Sequence, residues 1–223
     1  MIEKPKKKKR VKKLSRLQVI VRGIFLVTVI GAALRIFIVS PYRIDENAMQ
    51  SGLYAGDFLL ASKLSYRSAG PQVGDMVLFE HPLHMGKKLV RRVVATEGQS
   101  VEIIAKMVYV DGRPFQEFHS VEHSDNRILP PEFSNRDYMR RQQVSAGQIF
   151  VLGDNRDQSE DSRDFGCVPT SLVEGKGLIV YFSWTPDPEA PKMKSPYVVP
   201  AIQLFFYNIS NFPTRVRWDR LFI

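Results

Sequence analysis

From residue 17 to residue 39 the chain is one long apolar run, interrupted by charge only at Arg22 and Arg35. As a helix rising about 1.5 Å per residue it spans about 34 Å, enough to cross a hydrocarbon core of about 30 Å. Its two arginines lie near the ends, where their heads can reach water while the stems stay in apolar surroundings. Beyond residue 44 the apolar runs become short, β-branched or aromatic, and punctuated by Gly, Pro or Asp-Gly. They fall at 58–60, 75–79, 89–95, 101–104, 107–110, 147–152 and 177–184 and predict strands. The Val110-Asp111-Gly112-Arg113 step has the signature of a tight hairpin turn. The fold class expected is therefore mostly β, a domain of many short strands preceded by one N-terminal transmembrane helix.

Two stretches depart from this rhythm. Residues 115–143 are polar, contain proline and carry both charge signs, which predicts an insertion or long hairpin excursion over 116–143. His119 and His123 lie there four apart, but with neither a third ligand nor a helical pattern they read as surface histidines rather than a metal site. Residues 186–200 form a second proline-rich loop. Residues 198–209 are apolar but too short to span a bilayer, so they predict a final packed element or an interfacial segment.

Charge changes the picture only at one end. Nine Lys or Arg against Glu3 place +8 of the chain's +9 within the first 16 residues. A nucleic-acid partner is not implied, because the basicity belongs to an arm; a nuclear-type basic patch is weakened by the apolar run that follows. A cleaved signal peptide would have a shorter apolar centre and a small-residue cleavage site, and Ser40-Pro41-Tyr42 is a poor one. The expected organisation is a basic cytoplasmic arm over 1–16, a retained anchor over 17–40 and an extracytoplasmic β domain over 41–223. The positive-inside rule sets that orientation: a single-pass protein of the plasma (inner) membrane. With Cys167 alone, no intrachain disulfide can form, so packing must hold the outer domain together.

The most concentrated chemistry is the segment 153–163, GDNRDQSEDSR, in which six of eleven residues are charged. It follows the apolar run 149–152, as a tightly hydrogen-bonded loop leaving a buried strand would. Asp161 and Arg163 can form a bidentate pair there. A solvated polar turn is the plain alternative.

Together with its neighbours this loop resembles the bacterial signal peptidase I family. The ordered matches are Tyr42-Arg43-Ile44, Gly56-Asp57-Phe58-Leu59-Leu60 with Lys63, Gly74-Asp75-Met76-Val77-Leu78-Phe79 with Pro82, and Arg92-Val93-Val94. They continue through the loop itself to Gly166, Val168-Pro169, Gly175-Lys176 and the closing Arg217-Trp218-Asp219-Arg220. The resemblance implies a membrane-bound serine and lysine dyad that cleaves signal peptides from exported precursors, with no cofactor and no metal. Such chemistry needs a hydroxyl nucleophile, a lysine held neutral by burial, and donors for the oxyanion.

This chain departs from that pattern at three roles. The family's Pro-Ser-x-Ser-Met-x-Pro-Thr-Leu segment corresponds without a gap to residues 45–53, which puts Ala48 at the nucleophile position. Arg91 stands at the general-base position, and an arginine stays protonated at ordinary pH. Glu46 stands where the family has an oxyanion-associated serine; its carboxylate would repel a developing negative charge, leaving the Ala48 backbone amide as a donor. Ser51 and Gly52 replace Pro and Thr. Ser159 matches the serine that orients the lysine, while Asp154, Asn155, Arg156, Asp161 and Arg163 preserve the supporting loop.

The expectation is a non-catalytic homologue that binds signal peptides of exported precursors or a secretion-pathway protein. One alternative is an active peptidase with relocated groups, Ser51 as nucleophile and Lys63, Lys87 or Lys88 as base. Another is a structural module whose basic arm binds anionic lipid.

Overall fold

The structure is a computed structural model and describes residues 15–117, 119–192, 195 and 197–223. The basic arm expected over 1–16 lies outside the described residues except for Ser15 and Arg16.

Helix α1 (Arg16–Phe37) opens at Ser15, whose hydroxyl accepts from the Gln18 amide while the Gln18 side chain accepts from the Ser15 amide. This reciprocal cap satisfies two of the otherwise unpaired first-turn donors. The helix ends short of the expected boundary at residue 40. Pro41 disfavours helical backbone at Ser40, and Lys63 Nζ donates to the terminal carbonyls of Arg35 (3.1 Å) and Ile36 (3.2 Å). None of its side chains is buried, and it is long and apolar enough to cross a membrane.

The chain then enters β1 (Val39–Arg43) with no linker, and continues through β2 (Asp57–Ser62), β3 (Met76–Glu80), β4 (Lys88–Thr96), β5 (Ser100–Ile104), β6 (Met107–Val110) and β7 (Arg113–Pro114). After the excursion come β8 (Met139–Gln143), β9 (Gln148–Leu152), the short α2 (Ser162–Phe165), β10 (Val168–Pro169) and the long β11 (Val173–Ser183). Helices α3 (Val198–Ser210) and α4 (Phe212–Arg215) precede the C-terminal segment. All strand pairs are antiparallel, in a seven-stranded sheet ordered β1-β2-β11-β3-β4-β9-β10 and a four-stranded sheet ordered β7-β6-β5-β8.

Every strand expected from the apolar runs forms, and Asp111 and Gly112 make the β6–β7 turn with φ of 52° and 75°. Two differences have clear causes. Residues 39–40, expected as the end of the anchor, open β1 instead, because apolar patterning does not distinguish a membrane helix from an adjoining strand. Residues 139–143, MRRQQ, belonged to the expected polar excursion. They are strand β8 because Met139 pairs with Ile103 and is buried, while its neighbours face solvent.

Alternation along β3 and β4 divides the core of the large sheet. Leu78 and Val90 pack with Ile44, Met49, Leu53, Leu59, Ala61 and Val180. Val77, Phe79, Leu89 and Val93 pack with Ile149, Val151 and Val168. A third cluster joins the small sheet to the ends of β4 and β9.

Candidate active site

Residues 46–52 form a tight coil between β1 and β2, with Gln50 donating to Asn47, and Gly52 and Leu53 both donating to the Met49 carbonyl. Met49 and Leu53 project into the core and hold the coil down, leaving Ala48 only 1% exposed. The exit to β2 needs glycine at position 56. Its φ is 91°, and a Cβ there would lie 1.9 Å from the Trp184 carbonyl oxygen.

The loop 153–163 closes onto this coil. Asn155 N–H donates to the Ala48 carbonyl at 2.9 Å. A Cβ on Gly153 would lie 2.6 Å from that same oxygen and 2.1 Å from Ser159 Oγ, so Ala48, Gly153 and Ser159 meet at a backbone approach open only to glycine. The loop is internally fixed. Asp161 accepts from Gly153 N–H (3.0 Å), caps α2 and forms a bidentate pair with Arg163, whose guanidinium also donates to the carbonyls of Arg156 (2.6 Å) and Arg136 (3.0 Å). Burial alone would raise the Asp161 pKa, but the Arg163 charge and hydrogen bonds together with the Gly153 amide hold it below the ordinary carboxylate value. Asp154 is likewise buried yet depressed, by His119 Nε2 at 2.9 Å and by bidentate bonds from Arg92. Arg156 pairs with Glu117 and donates to the Gly153 carbonyl. Asn155 pairs with Glu122 across a single β-bridge.

Arg91 enters from β4, opposite Val77, and is the largest fully buried side chain described. Its Nη1 donates to Glu46 Oε1 at 2.5 Å and to the Val90 carbonyl at 2.7 Å, and its Nε donates to the Glu160 carbonyl at 2.8 Å. Arg91 Nη2 and, in the loop, Ser159 Oγ are buried without a hydrogen-bond partner among the described residues. The structure therefore brings together the coil at Glu46 and Ala48, the guanidinium of Arg91 and the loop at Ser159 and Glu160. Beside Glu46 opens a groove of about 350 Å³ between β1 and the β3–β4 hairpin. Tyr42 Oη donates to the Lys88 carbonyl at its edge (2.6 Å), and burial with the nearby Glu46 and Asp45 carboxylates pushes the Tyr42 pKa up to about 12.

Of the other predicted residues, Lys87 and Lys88 line this groove with their amines paired, and Lys63 lies apart. Lys63 caps α1, Lys87 pairs with Glu160 and Lys88 with Glu174. His119 is not a surface histidine; the long excursion folds it onto Asp154. His123 is exposed, 3.8 Å from Asp157.

Sequence reasoning missed the buried His81, which sits within reach of His84 and Glu160. Its Nδ1 accepts from Leu83 N–H at 3.0 Å, so the ring hydrogen is on Nε2, aimed at Glu160 Oε1 at 3.1 Å. In that tautomer the one ring-nitrogen lone pair, on Nδ1, is engaged by Leu83 N–H, and the Glu160 contact is a hydrogen bond that steadies the loop. The Pro82 turn was the only signal near it.

Comparison with known proteins identifies the family. The model of the family described as signal peptidase, peptidase S26 matches residues 17–184. The chain is similar to the "Probable signal peptidase I-1" of Synechocystis, 35% identical over 161 residues that cover 69% of this chain and 76% of the relative. It is also similar to the signal peptidase I of Bacillus caldolyticus, 32% identical, covering 68% of this chain and 84% of that one. Among solved structures, a signal peptidase I from Enterococcus faecalis is 30% identical, with a TM-score of 0.37, covering 48% of this chain and 95% of that chain. The family match spans well over half of the sequence, and the chain belongs to the signal peptidase, peptidase S26 family.

Proposed function

We propose that this chain is a membrane-anchored signal peptidase homologue that engages signal-peptide-bearing precursors without cleaving them. The observation that carries this reading is the Glu46–Arg91 pair. Position 48 has no hydroxyl, and the group at the base position is a guanidinium that cannot accept a proton. Its charge is tied to a carboxylate at the position where an oxyanion would need donors. The substitutions are mutually consistent: Arg91 leaves no base for a serine, and Glu46 supplies the counter-charge that a buried arginine requires.

The groove beside Glu46 is the proposed place for the precursor. In the orientation we propose, the basic arm faces the cytoplasm and the β domain lies outside, so this groove stands on the side to which precursors emerge. The relocated-dyad alternative is disfavoured because Lys63, Lys87 and Lys88 are each committed to other partners, and a lysine base needs a dry, unpaired amine.

The test is a precursor carrying a photoreactive residue at its signal-peptide C-terminus, added to the full-length protein in proteoliposomes. Cross-links to residues 42–46 or 86–89 with the precursor intact are the expected result. Cleaved product, or no cross-link above a mature protein lacking its signal peptide, would overturn the reading.

A further inference from the structure

In the large sheet, half of one edge of β4 has no neighbouring strand. β3 runs along one side of it, pairing Glu80 with Lys88 through to Met76 with Arg92, while β9 joins the other side only from Arg92 onward. His81 N–H donates to the Lys87 carbonyl and Val93 N–H to the Asp75 carbonyl. Main-chain groups alternate sides along a strand, so those of residues 87, 89, 91 and 93 face β3. The main-chain groups of Lys88 and Val90 point the other way, into the gap that β9 leaves. Edge groups of this kind are a template for any extended segment that reaches them.

The protein occupies both edge carbonyls itself. That of Lys88 accepts from Tyr42 Oη at 2.6 Å, and that of Val90 accepts from Arg91 Nη1 at 2.7 Å. The two caps are held with different firmness. Arg91 is fully buried and also bonds Glu46 and the Glu160 carbonyl, so swinging it aside would strand a charge in the interior. Tyr42 is neutral and half-buried, with its ring against the core cluster of Ile44 and Met49 and its hydroxyl reaching from β1 to β4 in the groove beside Glu46. Burial and the neighbouring carboxylates keep that hydroxyl protonated, and hence a donor, at neutral pH. A peptide amide could replace it at the Lys88 carbonyl without separating any charges.

We infer that Tyr42 is a built-in plug of the groove: its hydroxyl holds the Lys88 carbonyl, and an extended peptide docks by taking its place there. Arg91 keeps the edge shut at Val90, so the main-chain pairing gained is confined to Lys88. This deepens the reading proposed above by stating what a precursor must displace, and it rests on that reading only for the identity of the peptide.

The test compares full-length wild type with Tyr42→Phe, which removes the hydroxyl and keeps the ring. Both are titrated in detergent with two fluorescein-labelled peptides and followed by anisotropy. One peptide carries the residues that flank a signal-peptide cleavage site; the other is an alternating Thr-Val peptide with no signal-peptide character. The expected result is binding to Tyr42→Phe that is about three- to tenfold tighter, the worth of one main-chain hydrogen bond, with the gain lost when the peptide amides are N-methylated. No gain with either peptide would overturn the inference, and the precursor reading would still stand if wild type binds the signal-peptide probe. A gain that N-methylated peptides keep would also overturn it, because the hydroxyl would then matter only for the room it takes. A gain for the Thr-Val peptide, with the signal-peptide probe bound by neither protein, would uphold the plug and overturn the precursor reading instead.

Discussion

Removing Glu46 strands the buried charge of Arg91, and the structure allows the cost to be worked out. Arg91 is fully buried, whereas the Glu46 side chain is 40% exposed. In Glu46→Ala the guanidinium keeps the carbonyls of Glu160 and Val90, while Nη2 already lacks a partner. A charge-assisted hydrogen bond contributes about 1.5–3 kcal/mol, and isolating a buried ion costs about 3–5 kcal/mol. The exposure of Glu46 screens the pair, which brings the estimate to about 2 kcal/mol. For a domain of this size that lowers Tm by about 4–8 °C. Arg91→Met should cost only about 1 kcal/mol, because the carboxylate left behind can turn to water. The double variant should resemble Arg91→Met alone, giving a coupling of about 2 kcal/mol. Thermal unfolding of the full-length protein in detergent, followed by near-UV circular dichroism, reads the outer domain rather than α1. Effects that add to within about 0.5 kcal/mol would refute the pairing.

Gly153→Ala should destabilise the domain by several kcal/mol, since its Cβ would overlap the Ala48 carbonyl and Ser159; a chemical-denaturation midpoint unchanged from wild type would contradict the close approach. The depressed pKa values of Asp57, Asp154 and Asp161 contribute stability that is present above the unfolded value of about 3.9 and lost as pH falls through the folded values. Asp164, raised by burial, acts in the opposite sense. Urea midpoints should therefore hold from pH 7 to about pH 5 and fall below about pH 4, and a loss centred above pH 5 would contradict the assignment. Ala48→Ser alone should give no signal-peptide release, because Arg91 remains a cation. Ala48→Ser with Arg91→Lys and Glu46→Ser should give measurable release, with the new amine in a fully buried site beside the Glu160 carbonyl; equal rates for the single and triple variants would refute this.

The strands were legible because half-buried β structure writes its period directly into the sequence. Ala48, Arg91 and Ser159 could be placed near one another only through the resemblance, since their juxtaposition depends on long-range sheet register and on Gly153. The Glu46–Arg91 pair was not legible: the sequence showed two departures 45 residues apart, and only the fold shows that one neutralises the other. Strand β8 was hidden because four of its five residues are polar and Met139 is its one apolar position, while its pairing with β5 is long-range. The His119–Asp154 contact depends on how a long excursion returns to the sheet, which local pattern does not encode. Residues 198–209 read as a packed element or an interfacial segment, but which side of α3 meets the protein, where Leu204, Tyr207 and Asn208 are half-buried, needed the fold.

The central claim is that the Glu46–Arg91 pair stands in place of a working dyad. It is tested most directly by turnover of a signal-peptide-bearing precursor by the purified wild-type protein in proteoliposomes, with Ser51→Ala measured in parallel. The account predicts no release above protein-free vesicles for either. Robust wild-type release that Ser51→Ala abolishes would contradict it and assign the nucleophile to Ser51.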